Sequence, residues 1–259
     1  MEEEKSKALV ELIYSWIQEA GSRIRSHLNE ELTVSTKNGR DDIVTNVDKE
    51  TQEFLIRKIL EKFPEDKILA EENGLDRCLD MSGRVWIIDP IDGTLNFYFQ
   101  RENFAVMLAL YVDGIGKLGF IYNVMREELY WGGAEFGVYC NQTKLSAPKE
   151  PRLEDGLFGM NSAMYVQNTL HAHDIGIRTM GVRTSGCAGL EFISLLKGNT
   201  IGYISNLSPW DYAAGVVLSH EFGFISSQLN GCPLSFDGRE YFLIATSPAY
   251  EEIKGKYIS

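Results

Sequence analysis

Apolar residues recur at spacings of three and four through the first 28 positions: Leu9, Leu12, Ile13, Trp16, Ile17, Ala20, Ile24 and Leu28. That period predicts one amphipathic helix over 5–28. Residues 32–47 are mostly polar and predict a loop or hairpin. The helical period returns over 48–63, with Leu55, Ile59 and Phe63 on one face, and Pro64 helps to end it. Ile68-Leu69-Ala70 then reads as a short strand, and Val85-Trp86-Ile87-Ile88 as a buried one. Four β-like runs follow at 105–112, 118–124, 129–131 and 137–140. Turns expected at Gly114 and Gly116, and at Gly132-Gly133, make these an antiparallel meander.

Beyond 156–160 the pattern alternates. Strand-like runs near 178–182 and 201–205 interleave with helical runs near 187–197 and 209–222, and 241–246 reads as a last strand. Helices first, then strands with helices between them, give an α/β (α+β) chain of layered sheets and helices. Pro148 and Pro151 mark the expected division into an N-terminal half, 1–150, and a C-terminal half, 151–259, joined as one compact unit.

Composition narrows the function classes. The 259 residues carry 25 Lys+Arg against 37 Asp+Glu, a formal charge of −12. Such a chain is ill suited to track nucleic-acid backbones by charge, so no nucleic-acid partner is expected. There is no apolar run long enough for a membrane span and no apolar signal core near the N-terminus, so a cytoplasmic protein is expected. Cys78, Cys140, Cys187 and Cys232 are scattered with no CxxC pair, which predicts reduced thiols and no zinc ribbon. His171 and His173 form an HxH pair whose commoner context is a surface helix or loop, outside the chemistry proposed below.

The chemistry concentrates in 86–97, WIIDPIDGTLNF. A buried strand there delivers two carboxylates three residues apart, Asp89 and Asp92, with Pro90 stiffening the backbone between them. Gly93 and Thr94 follow where a helix can begin. Acidic side chains at a strand end hold hard cations through oxygen. Free N–H groups at a helix start hold phosphate. The two sites would adjoin, as phosphate-ester hydrolysis requires. Other acids have plainer readings when taken alone. Asp211 follows Ser208, a good N-cap, and Pro209, and serves as a first-turn acid. Glu71-Glu72 reads as a solvated turn, and Asp48 as an N-cap.

Segment 86–97 resembles the signature of the inositol monophosphatase family, among the lithium-sensitive, magnesium-dependent phosphatases. SPWDYAAG at 208–215 is similar to that family's WD-x-A-AG element, whose Asp is a metal ligand. ILAEE at 68–72 resembles its G-E-E, with Ala70 in place of Gly, and DIVTNVD at 42–48 resembles D-x-V-T-x-x-D. The four elements stand in the family's order over most of the chain.

The resemblance implies a layered αβαβα sandwich, a homodimer, and two or three Mg²⁺ per site. It assigns Glu71, Asp89 and the Ile91 carbonyl to one ion, and Asp89, Asp92 and Asp211 to another. A third ion would rest mainly on Glu71. Thr94, with Asp48 behind it, would orient and deprotonate the attacking water, which puts Asp48, Thr94 and Glu71 in the catalytic set. Gly93 and Thr94 N–H groups would grip the phosphate. Gly186, Cys187 and Ala188, with Asp92 and Asp211, would meet the rest of the substrate, a small phosphorylated metabolite. Electrostatics independently favours cations: two carboxylates about 4 Å apart repel by roughly 4 kcal/mol at an effective dielectric of 20. Oxygen-only ligation suits Mg²⁺ better than Zn²⁺.

Substrate choice follows less directly. Inositol-preferring members carry a Glu six to seven residues before the WD aspartate. Here those positions are Ile204 and Ser205, and a lost charge-assisted hydrogen bond costs about 1.5–3 kcal/mol. DGTLNF is nearer the inositol branch than the DGTKEF-like form of the adenosine branch. The expected substrate is therefore inositol 1-phosphate or a related sugar phosphate. The alternatives are the 2′-phosphate of NADP(H), fructose 1,6-bisphosphate, 3′-phosphoadenosine 5′-phosphate, or a non-catalytic regulatory binding role.

Overall fold

The computed structural model describes residues 2–39, 42–73 and 80–258; Cys78 lies outside them. Helix α1 (Glu2–Ser26) buries the predicted stripe, with Ile13, Ile17, Ala20 and Ile24 fully enclosed. Strands β1 (Val34–Gly39) and β2 (Asp42–Thr45) pair antiparallel, which realises the hairpin alternative for 32–47. Helix α2 (Asn46–Lys62) begins two residues before the expected start. Its N-cap is Thr45, not Asp48: Asp48 stands at N3 of a capping box, its carboxylate accepting the Thr45 N–H at 2.9 Å.

The chain then builds a seven-stranded sheet. β3 (Lys67–Ala70) runs parallel to β4 (Arg84–Asp92), and helix α3 (Thr94–Gln100) leads on to the meander. β5 (Ala105–Val112), β6 (Ile115–Asn123), β7 (Glu128–Gly133), β8 (Gly137–Cys140) and β9 (Thr143–Lys144) follow antiparallel, in sequence order across the sheet. Gly116 and Gly132-Gly133 lie in strands rather than turns; the turns fall at 113–114 and 134–136.

After an irregular stretch over 145–152, the second half alternates. It contains β10 (Leu157–Met160), α4 (Ser162–Gln167), α5 (Ala172–Gly176), β11 (Gly181–Arg183), α6 (Ala188–Leu196), β12 (Gly202–Leu207) and α7 (Pro209–His220). β13 (Ile225–Gln228), β14 (Glu240–Ala245) and α8 (Ser247–Tyr257) complete it. The strands form a five-stranded mixed sheet in the order β11-β10-β12-β14-β13. The run expected near 178–182 is mostly turn, and its strand starts only at Gly181. Helices α4 and α5 were not legible in the pattern.

Strand alternation sorts the side chains into layers. In β5, Val106, Leu108 and Leu110 join Ile13, Ile17 and Leu55 of α1 and α2. Ala105, Met107 and Ala109 face the other way, toward Phe192 and Leu195 of α6 and Tyr212 and Ala213 of α7. In the second sheet Tyr203 and Phe242 face that same middle layer, while Ile204 and Leu243 face Ala249 and Ile253 of α8. The result is the expected αβαβα sandwich. The seven-stranded sheet is covered on both faces at its centre, so β4 and β5 read as near-continuous apolar runs. Helices α6 and α7 fill the space between the sheets, and the candidate site opens at their N-terminal ends.

Candidate active site

Asp89 and Asp92 should not meet. Side chains three apart in a regular strand point to opposite faces. The register of β4 on β5 removes the difficulty: Asp89 pairs with Met107 and Asp92 with Ala105, so three residues of β4 oppose two of β5. This bulge at Pro90-Ile91 returns Asp92 to the face of Asp89, the face that looks onto α6 and α7. Proline is tolerated at a bulge, where no ladder N–H is needed. The strand therefore runs through the acidic pair instead of ending before it. The Asp89 carboxylate folds back on the Ile91 N–H at 3.1 Å, which fixes its rotamer.

Asp211 arrives from the middle layer. It stands at N3 of α7 in a capping box with Ser208, accepting the Ser208 N–H on Oδ2 at 2.8 Å. The plain reading of Asp211 as a first-turn acid behind an N-cap Ser208 is thus met, and the capping box leaves Oδ1 for another partner. One carboxylate oxygen each of Asp89, Asp92 and Asp211 lies within 4.8 Å of the others. Among the described residues this is the one such metal-competent group.

Glu71 lies outside that tight group. It follows β3 on a short 3₁₀ turn (Glu71–Asn73), beside Asp89 because Ala70 pairs with Ile88. The Glu72 N–H donates to Gln52 Oε1 at 2.8 Å and ties the turn to α2. The negative charge of Glu71 acts on Asp48, Asp92 and Asp211 alike, helping to raise the pKa of each.

The larger cause is burial. It pushes Asp92 up, and Asp211 up to about 7, each further raised by its acidic neighbours. Asp92 is partly relieved at the N-terminus of α6. Its Oδ1 accepts the Ala188 N–H at 3.1 Å, and its Oδ2 accepts the Gly189 N–H and the Cys187 thiol, the latter at 3.0 Å. A site whose carboxylates resist ionisation when alone, and which offers only oxygen, has the donor chemistry of a hard divalent cation.

Asp48 is wholly buried, and desolvation lifts its pKa to about 6. Thr94 Oγ1 lies 3.0 Å from Asp48 Oδ1 and 3.0 Å from the Ile91 carbonyl. Gly93 precedes α3 at φ 86°, and a Cβ there would come 3.0 Å from Cys187 Cβ, so only glycine suits the turn.

A cavity of about 220 Å³ opens from Asp92 and Asp211. The predicted substrate positions Gly186, Cys187 and Ala188 line it, although Cys187 turns its thiol to Asp92. Ser205 and Asn206 line it as well. Glu191 and Arg239 are among the lining residues that had no sequence signal. Glu191 is buried, with Oε1 accepting the Ser185 N–H at 2.8 Å, and burial raises its pKa. Arg239 is brought in by β14, where Glu240 pairs with Leu207. The histidine pair stays apart from all this: His171 Nδ1 meets Asp174 at 3.0 Å, and His173 lies against the Tyr165 ring.

Comparisons with known proteins bear on the family and the fold. A model of the inositol monophosphatase family matches residues 5–258. Inositol-1-monophosphatase of Bacillus subtilis (strain 168) is 39% identical over 253 residues, 96% of each chain. The crystal structure of inositol monophosphatase-II from Staphylococcus aureus MSSA476 superposes with a TM-score of 0.86 at 34% identity, covering 97% of this chain and 93% of that one. An IMPase/NADP phosphatase complexed with Mg²⁺ and phosphate gives 0.86 at 29% identity, covering 95% and 94%. A family model that matches almost the whole chain, and a relative 39% identical over 96% of it, show that the chain belongs to the inositol monophosphatase family.

Proposed function

We propose that this protein hydrolyses a small phosphomonoester, inositol 1-phosphate or a related sugar phosphate, in a Mg²⁺-dependent reaction. The observation that carries the reading is the convergence of Asp89, Asp92 and Asp211 beside the Thr94–Asp48 pair. The donor set fits Mg²⁺: oxygen only, clustered, and raised in pKa when no cation is present. Glu71, Asp89 and the Ile91 carbonyl would hold one ion, and Asp89, Asp92 and Asp211 another, with Glu71 available to a third. Bound Mg²⁺ supplies Lewis acidity toward phosphate and water.

The chain's own groups do the rest. Thr94 Oγ1 accepts a hydrogen bond from the attacking water and donates its own proton to Asp48 Oδ1. A carboxylate with a pKa near 6 accepts a proton readily near neutrality. The Gly93 and Thr94 N–H groups hold the phosphate, favoured by the start of α3. Gly186, Cys187 and Ala188 form the wall against the organic part, and Asp92 braces that wall through its bonds to Cys187 and Ala188.

The two halves, 1–150 and 151–259, act as one unit in this reading, since Asp89 and Asp211 come from different halves. We take the protein to be a cytoplasmic homodimer; the exposed Leu95 and Phe99 of α3 are compatible with a covered face. No helix among the described residues is long and apolar enough to cross a membrane.

Phosphate release with and without Mg²⁺ tests the reading, on inositol 1-phosphate, fructose 1,6-bisphosphate, NADP and 3′-phosphoadenosine 5′-phosphate. Mg²⁺-dependent release supports it. Silence on every substrate from folded protein that binds Mg²⁺ points instead to a non-catalytic binding role.

A further inference from the structure

Away from its metal-competent end, the cavity is lined by neutral polar groups, among them Thr184, Ser205 and Asn206, and by one cation among the described lining residues, Arg239. Arg239 is exposed, and its Nη1–H donates to the Asn206 carbonyl at 2.7 Å, which holds the guanidinium at the solvent-facing rim of the cavity. The backbone that carries it is held firmly. The next residue, Glu240, is buried, pairs with Leu207, and accepts the Tyr212 hydroxyl at 2.7 Å and the Phe236 N–H at 3.1 Å.

Arg239 makes no ion pair with a carboxylate among the described residues. The carboxylate of Glu191, also in the lining, is already turned to the Ser185 N–H and lies against Gly159. The wall that meets the organic part of a substrate therefore presents an anchored cation and hydroxyl and amide groups. A guanidinium has five N–H donors, and one bond to a carbonyl leaves the others for a phosphate. The cavity volume, about 220 Å³, sits below the usual ligand-pocket range and suits a compact sugar better than a dinucleotide.

We propose that Arg239 is a specificity-determining residue that binds a second phosphate on the organic part of the substrate, so that a sugar bisphosphate is turned over in preference to its monophosphates. The proposal rests on the phosphatase reading above and narrows it. It gives the cavity a recognition element that a neutral polyol ring would not use fully.

The test compares kcat/KM for fructose 1,6-bisphosphate with that for the faster of fructose 1-phosphate and fructose 6-phosphate, in wild type, Arg239→Gln and Arg239→Lys, all with Mg²⁺. Wild type should favour the bisphosphate. In Arg239→Gln the bisphosphate-to-monophosphate ratio should fall roughly 10- to 100-fold, the range of one lost charge-assisted hydrogen bond, and chiefly through KM. Arg239→Lys should recover part of the ratio, because it keeps the charge and loses the fork. An unchanged ratio in Arg239→Gln, an equal loss on both substrates, or a wild-type preference for the monophosphate overturns the proposal. A parallel pair, 3′-phosphoadenosine 5′-phosphate against 3′-AMP, separates carriers: a drop confined to the nucleotide pair overturns the sugar assignment. Wild-type silence on every substrate overturns the phosphatase reading itself, whereas turnover with an insensitive ratio overturns only the role of Arg239.

Discussion

Thr94 Oγ1 stands 3.0 Å from Asp48 Oδ1, a contact between residues 46 apart in the chain that ties the first turn of α3 to the first turn of α2. Asp48 is held from the other side by Thr45, whose N–H and hydroxyl both meet its Oδ2. Capping α2 fixes the carboxylate, and the fixed carboxylate orients the threonine.

Removing the hydroxyl should therefore cost rate without unfolding the protein. Thr94→Val is expected to lower kcat by about 10²–10⁴-fold, the span of general acid–base catalysis, while Thr94→Ser keeps most of the activity. Steady-state kinetics alongside a melting curve would check this. Equal rates for Thr94→Val and wild type would remove Thr94 from the proton path.

Gly93→Ala tests the turn. The new Cβ would meet Cys187 Cβ at 3.0 Å and the Asn103 carbonyl at 3.3 Å, on a backbone at φ 86°. A left-handed non-glycine residue costs roughly 1–2 kcal/mol before any clash, which corresponds to a Tm drop of roughly 2–8 °C in a chain of this size. Activity should fall with it, since the same turn aims the Gly93 and Thr94 N–H groups. An unchanged Tm would contradict the strain argument.

Stability should also respond jointly to pH and Mg²⁺. Asp92 and Asp211 have folded pKa values above the unfolded value near 4, Asp211 reaching about 7. Between those limits the native metal-free state binds more protons than the unfolded state, so stability falls as pH rises through the window. Mg²⁺ requires the ionised carboxylates and relieves that cost. The Tm increase on adding Mg²⁺ is therefore expected to be larger at about pH 8 than at about pH 5. A larger increase at the acidic pH would reverse the sign and reject the buried-carboxylate account.

Much of this was readable in the chain because the signals were local. The stripe from Leu9 to Leu28, the apolar β4 and β5, and the dense DPIDGT segment each state their case within a dozen residues. The plainer reading of Asp211 as a first-turn acid was right, while Asp48 stands at N3 of its helix and not at the N-cap; each acid uses part of its carboxylate in a capping box and faces the site as well. What escaped was set by register. No local pattern announces that Pro90-Ile91 forms a bulge, although that bulge is what brings Asp92 round to Asp89. Arg239 and Glu191 lie far from any motif; the pairing of Glu240 with Leu207, and the fold of α6 over the sheet, bring them to the cavity. Strand-like residues at 178–180 became a turn following α5, a short helix whose pattern was too brief to read.

The central claim is that the Asp89, Asp92 and Asp211 carboxylates form the Mg²⁺ site of a phosphatase. Its most direct test is phosphate release from inositol 1-phosphate, with and without Mg²⁺, by wild type and Asp89→Asn side by side. Within β4 the Asp89 carboxylate accepts the Ile91 N–H, and an asparagine oxygen can keep that bond. The account predicts Mg²⁺-dependent release by wild type and a loss on the order of 10²–10³-fold or more in the variant, with the fold retained. A folded Asp89→Asn protein that releases phosphate at the wild-type rate would contradict it.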